Sequence, residues 1–155
     1  MNPNKTPATR IIAMDYGMVR IGLAISDETK LIASPLKTLL AEKKRELTIT
    51  KLLQELNLHQ QQHNYQISEI IIGLPLLMNG KPGPIADEVL HFIDLFRQQT
   101  PIPINTWDER LTSVQAERSM REGNLTRKQR SKSVDAISAV ILLQSYLDFK
   151  GTLPP

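Results

Sequence analysis

Two short apolar segments near the start of the chain, RIIAMDY at residues 10–16 and RIGLAISD at residues 20–27, constrain the fold more than any other feature. Both are rich in β-branched residues, and only three residues, which include Gly17, separate them. Segments of this kind joined by so tight a connection are typical of an antiparallel hairpin. We therefore predict that the fold begins with two paired strands.

The rest of the chain alternates between strand and helix patterns. Pro84 suits the first turn of a helix, and Thr112 with Gln115 matches the spacing of a capping box. The predicted elements are a third strand at 31–39, helices at 43–59, 84–100, 112–123 and 134–149, and strands at 66–73 and 102–107. The Gln-rich tract HQQQHN is expected to end the first of these helices. A hairpin followed by strand–helix alternation predicts an α/β fold with one mixed five-stranded sheet flanked by helices.

Length and composition fit a single domain. The chain has 155 residues, and we expect one domain over residues 10–149 with tails at 1–9 and 150–155. No segment approaches the roughly 20 apolar residues of a membrane span, and the first residues lack the apolar core of a signal peptide, so a cytoplasmic protein without membrane contact is expected. The absence of cysteine excludes disulfides and thiolate metal sites.

Four acidic residues stand in three separated clusters, each at the predicted start or end of an element. They are Asp15 in MDYGMVRIG, Asp108 and Glu109 in WDERLTS, and Asp135 in KSVDAISA. Such positions can bring carboxylates together from separate parts of a sheet and a helix, and carboxylates are ligands that Mg²⁺ and Mn²⁺ prefer. Two such ions about 4 Å apart can stabilise the attacking and leaving oxygens of a phosphodiester. The clusters therefore predict a site for Mg²⁺ or Mn²⁺.

Each acidic cluster also has a purely structural interpretation. Asp15 alone would be a turn-capping residue before Gly17, and Asp108 with Glu109 would be a solvated strand end. Asp135, near the start of a helix, would be a favourable charge on the helix dipole. Neighbouring side chains of a strand point to opposite faces, so Asp108 and Glu109 can both be ligands only if the strand has already ended. Of the two, we expect Glu109 to be the ligand.

Basic residues near these clusters suggest an anionic partner. The net charge of +3 is a weak indication of nucleic acid by itself. The candidate phosphate-binding residues are Arg20, Arg110, Arg127, Lys128, Arg130 and Lys132. The last four lie in NLTRKQRSK, which contains no acidic residue and leads into the segment that carries Asp135; a solvated loop is the alternative. Aromatic residues make up 5% of the chain, and no platform for stacking unpaired bases is evident.

Two other features are weaker candidates. The loop GLPLLMNGKPG at residues 73–83 does not match a P-loop, because the spacing of its glycines is wrong and Pro82 stands where a Ser or Thr would hold Mg²⁺. It is either a wall on the substrate side of the site or a structural turn. His59 and His63 are four residues apart but lack the glutamate of a helical zinc motif, so we expect them, like His91, to be solvated.

Four motifs taken together, DYGMVRIGLAISD, IIIGLPLLMNG, WDERLTS and KSVDAISAVILLQSYLD, resemble the YqgF-type family of the RNase H-like superfamily. The resemblance covers about residues 10–149 and implies an RNase H-like sheet. It implies catalytic roles for Asp15, Glu109 and Asp135, with Asp108 as a further metal ligand. The chain departs from the family pattern at Val19, where a Lys or Arg is common, and at Ser113, where a second Thr is common. Neither difference removes a carboxylate, but Val19 takes away a possible phosphate contact.

The family is described both as Holliday junction resolvases and as nucleases that mature the 5′ end of pre-16S rRNA. The resemblance therefore implies a metal-dependent endonuclease, with precursor rRNA, within ribosomal particles or free, as the expected substrate. Four-way DNA junctions are the alternative, and a non-catalytic nucleic-acid-binding module is a second one. Actin-like ATPases share an Asp-x-Gly turn but need two lobes, which exceed this length. The apolar faces of the helices at 43–59 and 84–100 are needed to cover the sheet, so a monomer or weak homodimer is expected.

Overall fold

The computed structural model describes residues 3–111 and 134–153, with only the backbone at 134 and 135. The described elements are β1 Thr9–Tyr16, β2 Arg20–Ser26, β3 Ala33–Leu40, α1 Arg45–His63, β4 Gln66–Leu74, α2 Pro84–Gln99, β5 Ile104–Asp108, a 3₁₀ turn Glu109–Leu111, and α3 Val134–Thr152. The strands form one sheet in the order β3-β2-β1-β4-β5. β2 is antiparallel to β1 and β3, whereas β4 is parallel to β1 and β5. The predicted mixed five-stranded sheet flanked by helices is confirmed.

The predicted hairpin of β1 and β2 is also confirmed. Ile12 lies opposite Ile25, and the pairing continues to Tyr16 opposite Ile21. The connection is so tight that a Cβ atom on Gly17 would lie 2.5 Å from the carbonyl oxygen of Arg20. Only glycine fits that approach, because real Cβ contacts are essentially never this short.

Alternate residues of the central strands supply two apolar cores on opposite faces of the sheet. The first core lies on the side of α1 and α2. It contains Ile12 and Met14 of β1 and Phe92 and Phe96 of α2. Ile11 and Ala13 belong to the other core. The members that α3 contributes to this second core are Ala139, Val140, Leu142, Leu143, Tyr146 and Leu147. Each face of the sheet is therefore covered by helices.

One end of the sheet collects the carboxyl ends of β1, β3, β4 and β5, because these four strands run in the same direction. We call this end the carboxyl rim. The turn between β1 and β2 also lies there, and the amide of Ala41, just after β3, donates to the carbonyl of Val19 in that turn at 2.8 Å. In an open sheet of this kind, side chains that follow the strands meet at such an end.

Several element boundaries differ from the prediction. α1 continues through the Gln-rich tract to His63, and Asn64 ends it with a φ of 52°. The tract stays helical because it packs: the Gln60 side-chain oxygen accepts from the Ile67 amide at 2.9 Å, and His59 Nδ1 lies 2.8 Å from the Tyr65 hydroxyl.

The start of β3 and the bounds of the two tails also differ from the prediction. β3 begins at Ala33 rather than at residue 31, because the Asp27 carboxylate accepts hydrogen bonds from the amides of Leu31 and Ile32 and holds them in a turn. β1 includes Thr9 and α3 extends to Thr152, so residues 150–152 are helical rather than part of a tail. The predicted helix at 112–123 lies outside the described residues. No helix among residues 3–111 and 134–153 is long and apolar enough to cross a membrane.

Candidate functional site

Asp15 is the penultimate residue of β1 and lies opposite Gly22 at the carboxyl rim. Because side chains alternate along a strand, Asp15 is on the same face as Ala13, which packs in the core that α3 covers. Its side chain is half-buried. Asp15 is thus a paired residue of the strand, two positions before Gly17 of the turn.

Glu109 brings its carboxylate to the same face of the sheet from the end of β5, which is separated from β1 by β4. Trp107 of β5 faces α3, where its indole Nε1 donates to Ser145 Oγ at 3.2 Å. Asp108 therefore points to the opposite face, and β5 ends there. Glu109 begins a 3₁₀ turn that directs its carboxylate back across the end of β4.

Gly73 of β4 provides the space for this carboxylate. A Cβ atom at Gly73 would lie 2.7 Å from Glu109 Oε1 and 3.2 Å from Leu142 Cδ2 of α3. Since Met14 of β1 pairs with Ile72, the next residues along the two strands, Asp15 and Gly73, are neighbours in register. The Glu109 carboxylate thus lies over the strand that adjoins Asp15.

The electrostatic effect of this approach is visible at Glu109. Burial raises the pKa of its carboxyl, and the negative charges of Asp15 and then of Asp108 raise it further. The carboxylate of Asp15 on β1 therefore acts electrostatically on that of Glu109 in the 3₁₀ turn after β5. A cation between them would relieve that repulsion.

The Asp108 carboxylate forms hydrogen bonds with Arg110. Its two carboxylate oxygens accept from the Arg110 guanidinium, at 2.6 Å from Nη2 and at 3.0 and 3.1 Å from Nε. The Arg110 backbone amide donates to it as well, at 3.0 Å. The side-chain hydrogen bond from Arg110 is the main reason that the pKa of Asp108 is lowered. Asp108 is therefore placed to orient Arg110, and its predicted role as a further metal ligand stays a prediction.

Arg110 lies beside the loop between β4 and α2. Its guanidinium nitrogens are 3.7 Å from where a Cβ would stand on Gly80, whose φ is +82°. The loop is closed by its own backbone hydrogen bonds, from Leu77 to the carbonyl of Lys81 at 2.9 Å and from Gly80 to that of Leu77 at 2.8 Å. Its position at the carboxyl rim agrees with a wall on the substrate side of the site, and that role stays a prediction.

The remaining predicted site residues are only partly placed. Asp135 is the second residue of α3, seven positions before Leu142, and its side chain lies outside the described residues. Arg127, Lys128, Arg130 and Lys132 lie outside them too. Arg20 starts β2 at the carboxyl rim and is exposed. Within the described part of the chain, no group of three or more His, Cys, Asp or Glu side chains is arranged to hold a metal ion.

The histidine pair differs from the expectation in one respect. His63 is exposed, whereas His59 is half-buried against Tyr65 and its ring lies 4.2 Å from that of His63. Burial lowers the pKa of His59, and His63 adds to the effect. His59 is therefore part of the packing that ends α1, not a solvated residue.

Comparison with known proteins identifies the family. Residues 9–149 match the model of the family RuvX, described as Holliday junction resolvase. The chain belongs to the RuvX family. The resemblance to YqgF-type proteins that the four motifs suggested is thereby confirmed. RuvX is a family of nucleases, which makes the chain a hydrolase of that class.

Relatives of known name match over almost their whole length. A protein of Protochlamydia amoebophila named "Putative pre-16S rRNA nuclease" is 59% identical over 145 residues, which are 94% of this chain and 97% of the relative. A protein of the same name from Natranaerobius thermophilus is 41% identical over 142 residues, 90% of this chain and 94% of the relative. The family thus carries two descriptions, one of a DNA junction enzyme and one of an rRNA nuclease.

Solved structures confirm the RNase H-like fold. RuvC of Thermus thermophilus in complex with a Holliday junction substrate superposes with a TM-score of 0.53 at 6% identity, covering 93% of this chain and 96% of that one. The Holliday junction resolvase of fowlpox virus gives a TM-score of 0.52 at 16% identity, covering 90% and 99%. At such low identity, the likeness concerns the fold alone.

Proposed function

We propose that the chain is a divalent-metal-dependent endonuclease that hydrolyses phosphodiester bonds in the 5′ region of precursor 16S rRNA. The observation that carries the proposal is the position of the Glu109 carboxylate over Gly73, the neighbour in register of Asp15 at the carboxyl rim. Family membership and the names of the relatives support the reaction class and the substrate.

The donor set fits a hard divalent cation. Asp15 supplies carboxylate oxygens from the end of β1 and Glu109 from the turn after β5, and the repulsion felt at Glu109 indicates a place where positive charge is favoured. Asp135 is the second residue of α3, four positions before Ala139 and seven before Leu142. We assign Asp15, Glu109 and Asp135 as the residues that would hold Mg²⁺ or Mn²⁺. Such ions stabilise developing charge on the phosphodiester oxygens.

The other residues of the site bind and orient the substrate. Asp108 fixes the planar Arg110 guanidinium, which leaves Nη1 directed toward the loop that contains Gly80. A guanidinium held in this way is suited to a phosphate oxygen. Arg20 flanks the site on the other side of β1. Arg127, Lys128, Arg130 and Lys132 remain candidates for further phosphate contacts.

The test compares two neighbouring carboxyl residues that the proposal treats differently. Glu109→Gln should reduce cleavage of a 5′-extended 16S rRNA fragment by at least about 100-fold in Mg²⁺ or Mn²⁺, as loss of a metal ligand or of its orienting partner does. Asp108→Asn should retain most of the metal affinity and lose activity mainly through weaker substrate binding. Asp94→Asn, an exposed acid on α2, is the matched control. Equal metal affinity in wild type and Glu109→Gln, measured calorimetrically with Mn²⁺, would remove Glu109 from the site.

Cleavage of four-way DNA junctions is the second candidate function, because the family description favours it. Symmetric cleavage of a junction calls for a two-fold dimer with two active sites. We expect a monomer or weak dimer and preferential cleavage of the rRNA precursor. A tight dimer in sedimentation that makes paired nicks in junctions and leaves the RNA intact would reverse the preference.

A further inference from the structure

Two adjacent grooves lie on the α2 side of the carboxyl rim, on the opposite face from the carboxylates. The first, about 310 Å³, has mainly apolar walls from Tyr16, Met18, Pro84, Ile85 and Val89. The second, about 160 Å³, is polar and extends to Lys43, just before α1, and to Arg45, the first residue of α1. The grooves share Tyr16, Met18 and Glu88 as a common wall.

The apolar groove is unusually open to solvent for its composition. Met18 is 70% exposed and Ile85 is 71% exposed. Tyr16 between them is held in place because its ring stacks on Phe92, with centroids 4.2 Å apart and planes inclined by 24°. A fixed aromatic ring between two exposed apolar side chains is a surface that a flat apolar ligand would cover.

The charged residues that line the polar groove are Glu42, Lys43, Arg45 and Glu88, whose formal charges cancel. Arg45 and Glu88 neutralise each other through two hydrogen bonds of 2.6 Å, and Glu42 pairs with Lys51 at 3.4 Å. Lys43 and Lys44 are exposed and, among the residues that the structure describes, form no ion pair. Lys43 is therefore the lining cation that these ion pairs leave without an acidic partner, and Lys44 follows it in the chain just outside the groove wall.

We infer that the paired grooves bind one unpaired nucleotide of the substrate strand, with the base in the apolar groove and the phosphate at Lys43 and Lys44. A nucleotide has this division between an apolar-faced ring and an anionic group. Tyr16 directly follows Asp15, so a strand that crosses the carboxyl rim would pass from the carboxylates to the grooves within a short distance. The inference rests on the proposed function, because it takes the occupant to be part of the nuclease substrate.

The experiment measures binding rather than cleavage, in the presence of EDTA, so that it does not depend on the metal site. The probes are a short oligoadenylate and an abasic ribose–phosphate oligomer of the same length. Wild type should bind the base-bearing probe at least about fivefold more tightly, the low end of what a base contact contributes. Met18→Ser with Ile85→Ser should abolish that preference without unfolding the chain, because both side chains are mostly exposed.

Charge variants test the other half of the site. Lys43→Gln with Lys44→Gln should leave the preference for bases intact and reduce the slope of log affinity against log salt by about 1.4 for single strands. The matched controls are Lys5→Gln with Lys30→Gln and Leu31→Ser with Leu58→Ser, which remove the same groups away from the grooves. The lysine control should lower the slope by less than Lys43→Gln with Lys44→Gln does, and the leucine control should leave the preference for bases unchanged.

Equal affinity of wild type for both probes would overturn the inference, and so would a preference that survives Met18→Ser with Ile85→Ser. If that double variant changes only the sedimentation of the protein, the grooves belong to a contact with a second copy of the chain. Cleavage assays separate these from failure of the proposed function. Metal-dependent cleavage without a base preference removes the nucleotide site alone, whereas a base preference without cleavage by wild type removes the nuclease.

Discussion

Replacing Gly73 with alanine tests whether the position of the Glu109 carboxylate controls activity. The new methyl carbon would stand 2.7 Å from Glu109 Oε1, whereas ordinary contact begins at 3.4 Å, so the carboxylate must retreat by about 0.7 Å. Leu142 Cδ2, at 3.2 Å, must move by about 0.2 Å. Most of the adjustment therefore falls on the flexible end of Glu109.

The two displacements predict different effects on stability and on activity. Overpacking costs about 1–3 kcal/mol where the surroundings cannot yield, but here a mobile side chain yields, and replacement of glycine in a strand offsets part of the cost. We expect a loss of less than about 2 kcal/mol, or no more than about 8 °C in Tm. A displacement approaching 1 Å of a catalytic group can reduce the rate by about 100-fold. Gly73→Ala should therefore remain folded and lose between about 10-fold and 100-fold in kcat.

The assay combines thermal melts, Mn²⁺ titration and cleavage of the rRNA fragment. If Gly73→Ala acts through Glu109, then adding it to Glu109→Gln should cause little further loss of activity, because the two changes affect the same group. Gly151→Ala is the control, since no atom lies within 4 Å of a Cβ at that position. Full activity in Gly73→Ala, or additive losses in the double variant, would refute the role assigned to Gly73.

Three further predictions concern charge and pH. Asp15→Asn should abolish cleavage yet leave the metal-free protein at least as stable as wild type, as thermal melts with and without Mn²⁺ will show, because it removes repulsion at Glu109. Hydrogen bonds from the Ile32 amide and the Thr29 hydroxyl lower the pKa of Asp27 from 3.8 to about 2, so its contribution to stability is present above pH 3.8 and lost as the pH falls toward 2. Asp27→Asn should therefore reduce the dependence of Tm on pH between 3.8 and 2, and an unchanged dependence contradicts this. Burial raises the pKa of Tyr65 from 10.0 to about 12, so stability should fall as the pH rises from 10 to 12, and Tyr65→Phe should reduce that slope in alkaline denaturation.

Local pattern was sufficient for the strands and for most helices. The β-branched segments around Gly17 predicted the hairpin, and Pro84 marked the start of α2. The pattern failed where a tertiary contact decided the boundary. Polar glutamines suggested that α1 should end early, but the contact of Gln60 with the Ile67 amide keeps the helix intact. Such contacts join residues whose proximity depends on the completed sheet.

The candidate site shows the same limit. Alternation along a strand predicted that Asp108 and Glu109 point apart unless the strand has ended, and in the structure β5 does end at Asp108, with Glu109 in the following 3₁₀ turn. Whether Glu109 is a metal ligand stays a prediction. Gly73 was treated only as the start of a loop, although a glycine near the end of a buried strand is a signal of close approach by another group. The grooves beside Tyr16 could not be predicted, because their walls come from β1, the β3–α1 connection and α2.

The sheet order fixes the spacing of the carboxylates, whereas the connections between the elements can vary in sequence and length. Asp15 and the end of β5 have β4 between them, so the distance between their backbones is set by two strand spacings of about 4.8 Å, which hydrogen bonds hold constant. The turn with Met18, the loop with Gly80 and the segment before α1 are attached to that frame only at their ends. Insertions or replacements in these connections can change which nucleic acid is bound, and with what affinity, while the spacing of the carboxylates stays the same. Relatives that cut different substrates can therefore differ in their connections and keep one reaction.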